Sequence, residues 1–159
     1  MPSTASRSPW PLVGRHEELA LLARELERPA SCGVIIAGAH GVGKTRLRGE
    51  ALARLRRDGC LIREVTATEA AATIPFGPLA PLLPEALSMS PLDVLRHSVR
   101  ELRHERGNGR LVVSVDDAHL LDAASSALLH QLASTQTASL LLTARSGEAL
   151  PDPIVGLRK

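Results

Sequence analysis

A chain of 159 residues with 44% hydrophobic content has the length of one domain and enough apolar side chains to bury a core. Its formal net charge of +2 is too small to argue for nucleic acid or a membrane surface, and its only aromatics, Trp10 and Phe76, give no set of rings for stacking bases. Cys32 and Cys60 lack the spacing of a zinc or redox motif, no apolar stretch approaches a membrane span, and Met1 to Trp10 lacks a signal-peptide core, so reduced thiols and a cytoplasmic location are expected.

Residues 1–11, rich in Ser and Pro, read as a flexible lead-in, followed by a core over 12–150 and a Pro-containing tail over 151–159. Leu12-Val13-Gly14-Arg15 leads into a helix with the apolar stripe Leu19, Leu22 and Leu26, acids Glu17 and Glu18 in its first turn, Arg24 and Arg28 near its end, and Pro29 as its stop. An apolar strand, Val34 to Ala37, then meets Gly38-Ala39-His40-Gly41-Val42-Gly43-Lys44-Thr45, which fits the P-loop pattern G-x-x-x-x-G-K-[ST].

The chemistry of that motif is legible in its residues. Gly38, Gly41 and Gly43 let the backbone turn tightly and aim successive N–H groups at phosphate oxygens. Lys44 supplies a point charge for the β and γ phosphates, the Thr45 hydroxyl is placed to ligate Mg2+, and the helix that follows, marked by Leu47, Ala51 and Leu55, adds its positive dipole end. His40 occupies a free position and is expected to be a solvated loop residue, because phosphate chemistry needs no imidazole.

Beyond the loop, Arg54, Arg56 and Arg57 read as a solvated face, and Gly59 as a helix exit before the strand Cys60 to Thr66, whose central Arg63 and Glu64 suit a sheet edge. Four prolines between Ile74 and Pro84 predict an irregular connection with one short helix after it. Ser90-Pro91-Leu92-Asp93 starts a helix with the stripe Leu92, Leu95, Val99 and Leu102. Its other face carries Arg96, Arg100, Arg103, His104 and Arg106; Glu101 and Glu105 interleave, so this reads as a solvated face and no direct DNA binding is expected.

Leu111 to Val115 and Leu140 to Leu142 are nearly continuous apolar runs suited to interior strands. Asp116-Asp117 follow the first, at the strand end where ligands of open parallel sheets bind. Asp116 is the candidate for the Mg2+ shell and Asp117 for the base that orients water. A helix from Asp122 lies between the two strands, and no N-K-x-D guanine reader is present, which argues against a GTPase.

Leu12-Val13-Gly14-Arg15, the P-loop, Pro75-Phe76-Gly77-Pro78-Leu79, Asp116-Asp117-Ala118-His119-Leu120-Leu121-Asp122 and Leu140-Leu141-Leu142-Thr143-Ala144-Arg145 occur together in one order. This combination resembles the N-terminal ATPase module of the large LuxR-type transcription regulators, of the STAND class of AAA+-like ATPases. The resemblance implies an α/β three-layer P-loop NTPase of the additional-strand type, with a mostly parallel sheet of strand order 1-4-3-2 and the family's fifth strand missing. It implies Val13, Gly14 and Arg15 on the adenine side, Arg145 as a sensor near the γ phosphate, and ATP or ADP with Mg2+ as cofactors. His119 matches the motif without a role in the chemistry and is expected to start a helix or to pack.

Since the family continues into a lid and effector domains, the expected activity is slow Mg2+-dependent ATP hydrolysis that switches a larger signalling protein. The alternative is a non-hydrolysing nucleotide-binding or interaction module. With no fifth strand, Val34 to Ala37 would lie at an open edge through which the chain could self-associate unless the tail covers it.

Overall fold

A computed structural model describes residues 15–28, 31–83 and 89–157. Val13, Gly14, Pro29 and the lead-in over 1–11 lie outside the described residues, as do 84–88, where the short helix after the prolines was expected. Four parallel strands, β1 (Gly33–Gly38), β2 (Leu61–Thr66), β3 (Leu111–Asp116) and β4 (Ser139–Arg145), form one sheet in the order β1-β4-β3-β2. This is the α/β P-loop NTPase arrangement, with the fourth strand inserted beside the P-loop strand.

Side-chain alternation along the strands divides the core into two layers. Leu111, Val113, Val115, Leu140 and Leu142 face one cluster, together with Leu102 of α4 (Pro91–Arg106) and Leu128, Leu129 and Leu132 of α5 (Ala123–Ser134). Val112 and Leu141 face the other, against Leu22 and Leu26 of α1 (His16–Glu27) and Leu47, Ala51, Leu52 and Leu55 of α2 (Lys44–Arg57). Helices therefore cover both faces, as a parallel sheet requires. β3 is buried along its whole length, while Arg63 and Glu64 mark β2 as an edge.

The helix starts follow their capping residues. The Ser90 hydroxyl accepts from the Asp93 N–H at the start of α4, and Asp122 accepts from the N–H groups of Ala124 and Ser125 at the start of α5. A third Asp122 contact, from the Phe76 N–H at 3.1 Å, ties the proline segment to α5.

Several expectations need correction. Leu92 is 55% exposed, and α4 buries Val94, Ser98 and Leu102 with Leu95 and Val99 beside them. Leu92 falls about 120° round the helix from Ser98, beyond the arc that meets the core. The proline segment is more ordered than an irregular link, with a 3-10 turn over Gly77–Leu82; it follows α3 (Glu69–Ala72), which Thr68 caps. Arg103 and Arg106 are not merely solvated: they donate to Thr137 Oγ1 at 3.3 Å and to the Gln136 carbonyl at 2.7 Å, fastening α4 to the turn after α5. The tail forms a short helix, α6 (Asp152–Val155), whose Ile154 is fully buried in the α4–α5 side of the core. No helix among the described residues is long and apolar enough to cross a membrane.

Candidate functional site

The P-loop lies between β1 and α2, where Gly43 adopts a left-handed conformation (φ +85°) as the residue before the helix. A Cβ at Gly38 would come within 2.9 Å of Val42 Cγ2, so a side chain there would require the exposed Val42 side chain to shift. Unlike α3, α4 and α5, α2 has no side-chain cap, and it carries no acid in its first turn, where α3 has Glu69 and α4 has Asp93. Its first N–H groups and its dipole are left for an external anion.

Lys44 is buried and folds back over the loop, its Nζ donating to the carbonyls of Gly38 at 2.9 Å and Ala39 at 2.8 Å. An ammonium has three donors, so one remains for a phosphate oxygen. Arg15 also reaches the loop: its Nη2 donates to the Val42 carbonyl, and its Nε lies 3.5 Å from Glu18 Oε2. His40 is exposed, as are Ala39, Gly41 and Val42.

Alternation along β3 sends Val112, Ser114 and Asp116 toward α2, and alternation along β4 sends Leu141 and Thr143 the same way. The result is a polar cluster where these strand ends meet the first turn of α2. The Thr45 hydroxyl donates to Asp116 Oδ2 at 3.0 Å, and the Thr143 hydroxyl donates to Asp116 Oδ1. Thr143 also accepts the Asp117 N–H at 3.0 Å. Asp117 takes a left-handed conformation (φ 56°, ψ 48°), which the short polar side chain tolerates and which turns it away from Asp116. Its carboxylate is half-buried, with Oδ1 4.0 Å from the Nδ1 of the buried His119 ring.

Arg145 ends β4 in register with Gly38, and the following Ser146 N–H donates to the Gly38 carbonyl at 3.1 Å. Its side chain is exposed and makes no hydrogen bond or ion pair among the described residues. Lys44, Thr45, Asp116, Asp117 and Arg145 thus lie at one end of the sheet, and Arg15 touches the loop from the N-cap position of α1.

These residues fit a nucleoside triphosphate with Mg2+. The open helix start and the spare Lys44 donor suit phosphate. The Thr45–Asp116 pair offers hard oxygen ligands, and Mg2+ is commonly held by one or two protein oxygens plus phosphate instead of a complete protein cage. Accordingly, no group of three or more His, Cys, Asp or Glu side chains is arranged to hold a metal by itself among the described residues.

Thr143, Ser114 and Arg48 belong to this cluster and were missed as site residues. Arg48, 8% exposed on α2, donates to Ser114 Oγ at 3.0 Å. The signal was a pair of polar residues at positions where the periodicity of α2 and β3 demands apolar ones.

The sheet order, the loop and the acid at the end of β3 define a P-loop ATPase fold. Residues 11–143 match the family profile described as AAA ATPase domain, and the chain belongs to that family. Nucleotide binding and hydrolysis are the activity of such domains. A comparison with curated proteins finds no match. Among solved structures, the chain is similar to one titled "Structure of C. elegans PCH-2", with a TM-score of 0.47 and 17% identity over 88% of this chain and 38% of that one. The chain therefore spans well under half of that protein's length.

Proposed function

We propose that the chain is the Mg2+-dependent, slowly ATP-hydrolysing core of a signalling ATPase of the LuxR-type, STAND-class transcription regulators, with nucleotide state acting as a switch. The observation that carries this reading is the contact of Thr45 with Asp116 beside a loop capped by Lys44. Lys44 and the N–H groups at the start of α2 bind and orient the phosphates, with Val13, Gly14 and Arg15 on the adenine side. Thr45 and Asp116 would hold Mg2+, which would supply positive charge to offset that of the phosphates. Asp117, turned away from Asp116, accepts a proton from the attacking water, and Arg145 steadies the γ phosphate.

A second reading is a nucleotide-binding or interaction module that does not hydrolyse. Measuring ATP binding and phosphate release separately distinguishes the two: binding with turnover supports the first, binding without turnover the second, and no binding removes both nucleotide readings. The outer edge of β1, which pairs only with β4 among the described residues, is the proposed surface for self-association.

A further inference from the structure

The inner face of α2 carries a guanidinium against the sheet, one turn after Thr45. Arg48 Nη1 donates to Ser114 Oγ at 3.0 Å and lies 3.7 Å from Glu64 Oε2. Its Nη2 is 3.6 Å from Asp116 Oδ2, the same oxygen that accepts the Thr45 hydroxyl. Burying an arginine is unfavourable unless its charge is matched and its N–H groups are bonded. Here the charge is matched by carboxylates on β2 and β3 at ion-pair distance, Ser114 accepts one N–H, and Nε is buried without a partner among the described residues. Ser114 meanwhile donates its hydroxyl hydrogen bond to the Leu141 carbonyl at 3.1 Å, which leaves its oxygen free to accept from Arg48.

We propose that Arg48 is the resident counter-ion of Asp116, a positioning residue that holds Oδ2 against Thr45 when no divalent cation is bound and opposes that cation when it arrives. The inference rests on reading Thr45 and Asp116 as the cation side of the nucleotide site. A positive charge this close to the carboxylate cancels much of the potential that attracts Mg2+, and in a partly buried setting the repulsion between the two cations is weakly screened. Arg48 thus keeps the empty site intact and sets a higher Mg2+ requirement for tight nucleotide binding.

Arg48→Met tests this, because it keeps an unbranched apolar stem and removes the guanidinium with its charge and donors. Ser114 retains its bond to Leu141, Asp116 retains the two threonine hydroxyls, and Glu64 retains Arg56. Calorimetric titration of the full chain with ADP, across a series of Mg2+ concentrations and in EDTA, gives the Mg2+ concentration at which ADP affinity is half-enhanced. Arg48→Met is expected to lower that midpoint by about tenfold, while Arg48→Lys keeps the parent midpoint. Melting should show the converse: Arg48→Met melts below the parent in EDTA, and saturating Mg2+ with ADP narrows the gap.

Arg48→Gln, which keeps a donor for Ser114, is a second neutral variant read in the same way should Arg48→Met not fold. An unchanged or raised midpoint in a folded neutral variant overturns the proposal. So does an equal loss of ADP affinity with and without Mg2+, which marks a purely structural role. A parent chain that binds no ADP under either condition overturns the nucleotide reading itself, and this inference with it.

Discussion

Thr45 and Asp116, 71 positions apart in the chain, meet through one hydrogen bond in which the threonine hydroxyl donates to Oδ2 at 3.0 Å. The contact depends on three local choices: a left-handed Gly43 that starts α2 at Lys44, a β3 whose even-numbered side chains face α2, and β4 between β3 and β1. Because the oxygens are already together, a cation joining them requires little rearrangement of the chain.

Lys44→Ala should weaken Mg-ADP binding about ten- to hundredfold, since hydrogen bonds from a charged donor contribute roughly 1.5–3 kcal/mol. The same change frees the Gly38 and Ala39 carbonyls that Lys44 now bonds, so the loop itself loosens. Calorimetric titration of both proteins measures the effect. Equal affinities would remove the loop from the mechanism.

Asp116→Asn and Asp117→Asn should separate. Asp116 faces Thr45 and Thr143, so its amide replacement should raise the Mg2+ requirement. Asp117 turns the other way, so its replacement should spare binding and abolish phosphate release. Binding across a Mg2+ series and single-turnover phosphate release provide the comparison; the same loss in both measurements for both variants contradicts the division of roles.

Thr143→Val removes the hydroxyl that joins both acids. The Asp117 N–H loses its acceptor and Asp116 Oδ1 loses a donor, so a destabilisation of about 1–3 kcal/mol is expected, seen as a lower urea midpoint at constant slope. Phosphate release should fall with it while nucleotide affinity stays near that of the parent. An unchanged urea midpoint would show that water replaces the hydroxyl at no cost.

The fold was legible because its signals are local and repeated: continuous apolar runs at β3 and β4, two charges in β2, and a loop that must sit between a strand and a helix. The cluster around Asp116 was less legible. Arg48 and Ser114 look unrelated in the sequence and become partners only because α2 lies over the even-numbered side of β3. The misassigned Leu92 has a similar origin. Four leucine and valine positions at helical spacing define an arc, but the arc that is buried depends on where α5 crosses α4, and Ser98 at its centre carries no apolar signal. It bonds its hydroxyl to the Val94 carbonyl at 2.7 Å and so is buried without cost to hydrogen bonding.

Cys60 is buried and its thiol pKa is pushed up, chiefly by desolvation, against a lowering by Arg110. As pH rises through the ordinary thiol value of 9.0, the unfolded chain releases this proton first while the folded chain retains it. The folded state then binds more protons, so the stability that Cys60 contributes is full below that pH and declines above it. Urea midpoints measured across that range should fall less steeply in Cys60→Ala than in the parent. Iodoacetamide should alkylate the half-buried Cys32 first, and labelling of Cys60 at the same rate would contradict the burial argument.

Ile154 decides whether the residues after 150 are tail or core. Its side chain is fully buried in the cluster that contains Leu140, Leu142 and α5, and with Leu157 it lines a cavity of about 280 Å3 beside Val34, Ile35 and Cys32 of the β1 edge. Truncating a buried isoleucine costs about 2–5 kcal/mol, and the lower end applies where the new space joins an existing cavity that neighbours can partly fill. Ile154→Ala should therefore lower stability by about 2 kcal/mol and should raise hydrogen exchange first in β1, whose outer edge has no strand partner among the described residues. The measurement is exchange at Val34 to Ala37 in a dilute, demonstrably monomeric sample of parent and variant. Equal protection and equal stability would mean that α6 rests on the core without supporting it, and that the division at residue 150 is a physical one.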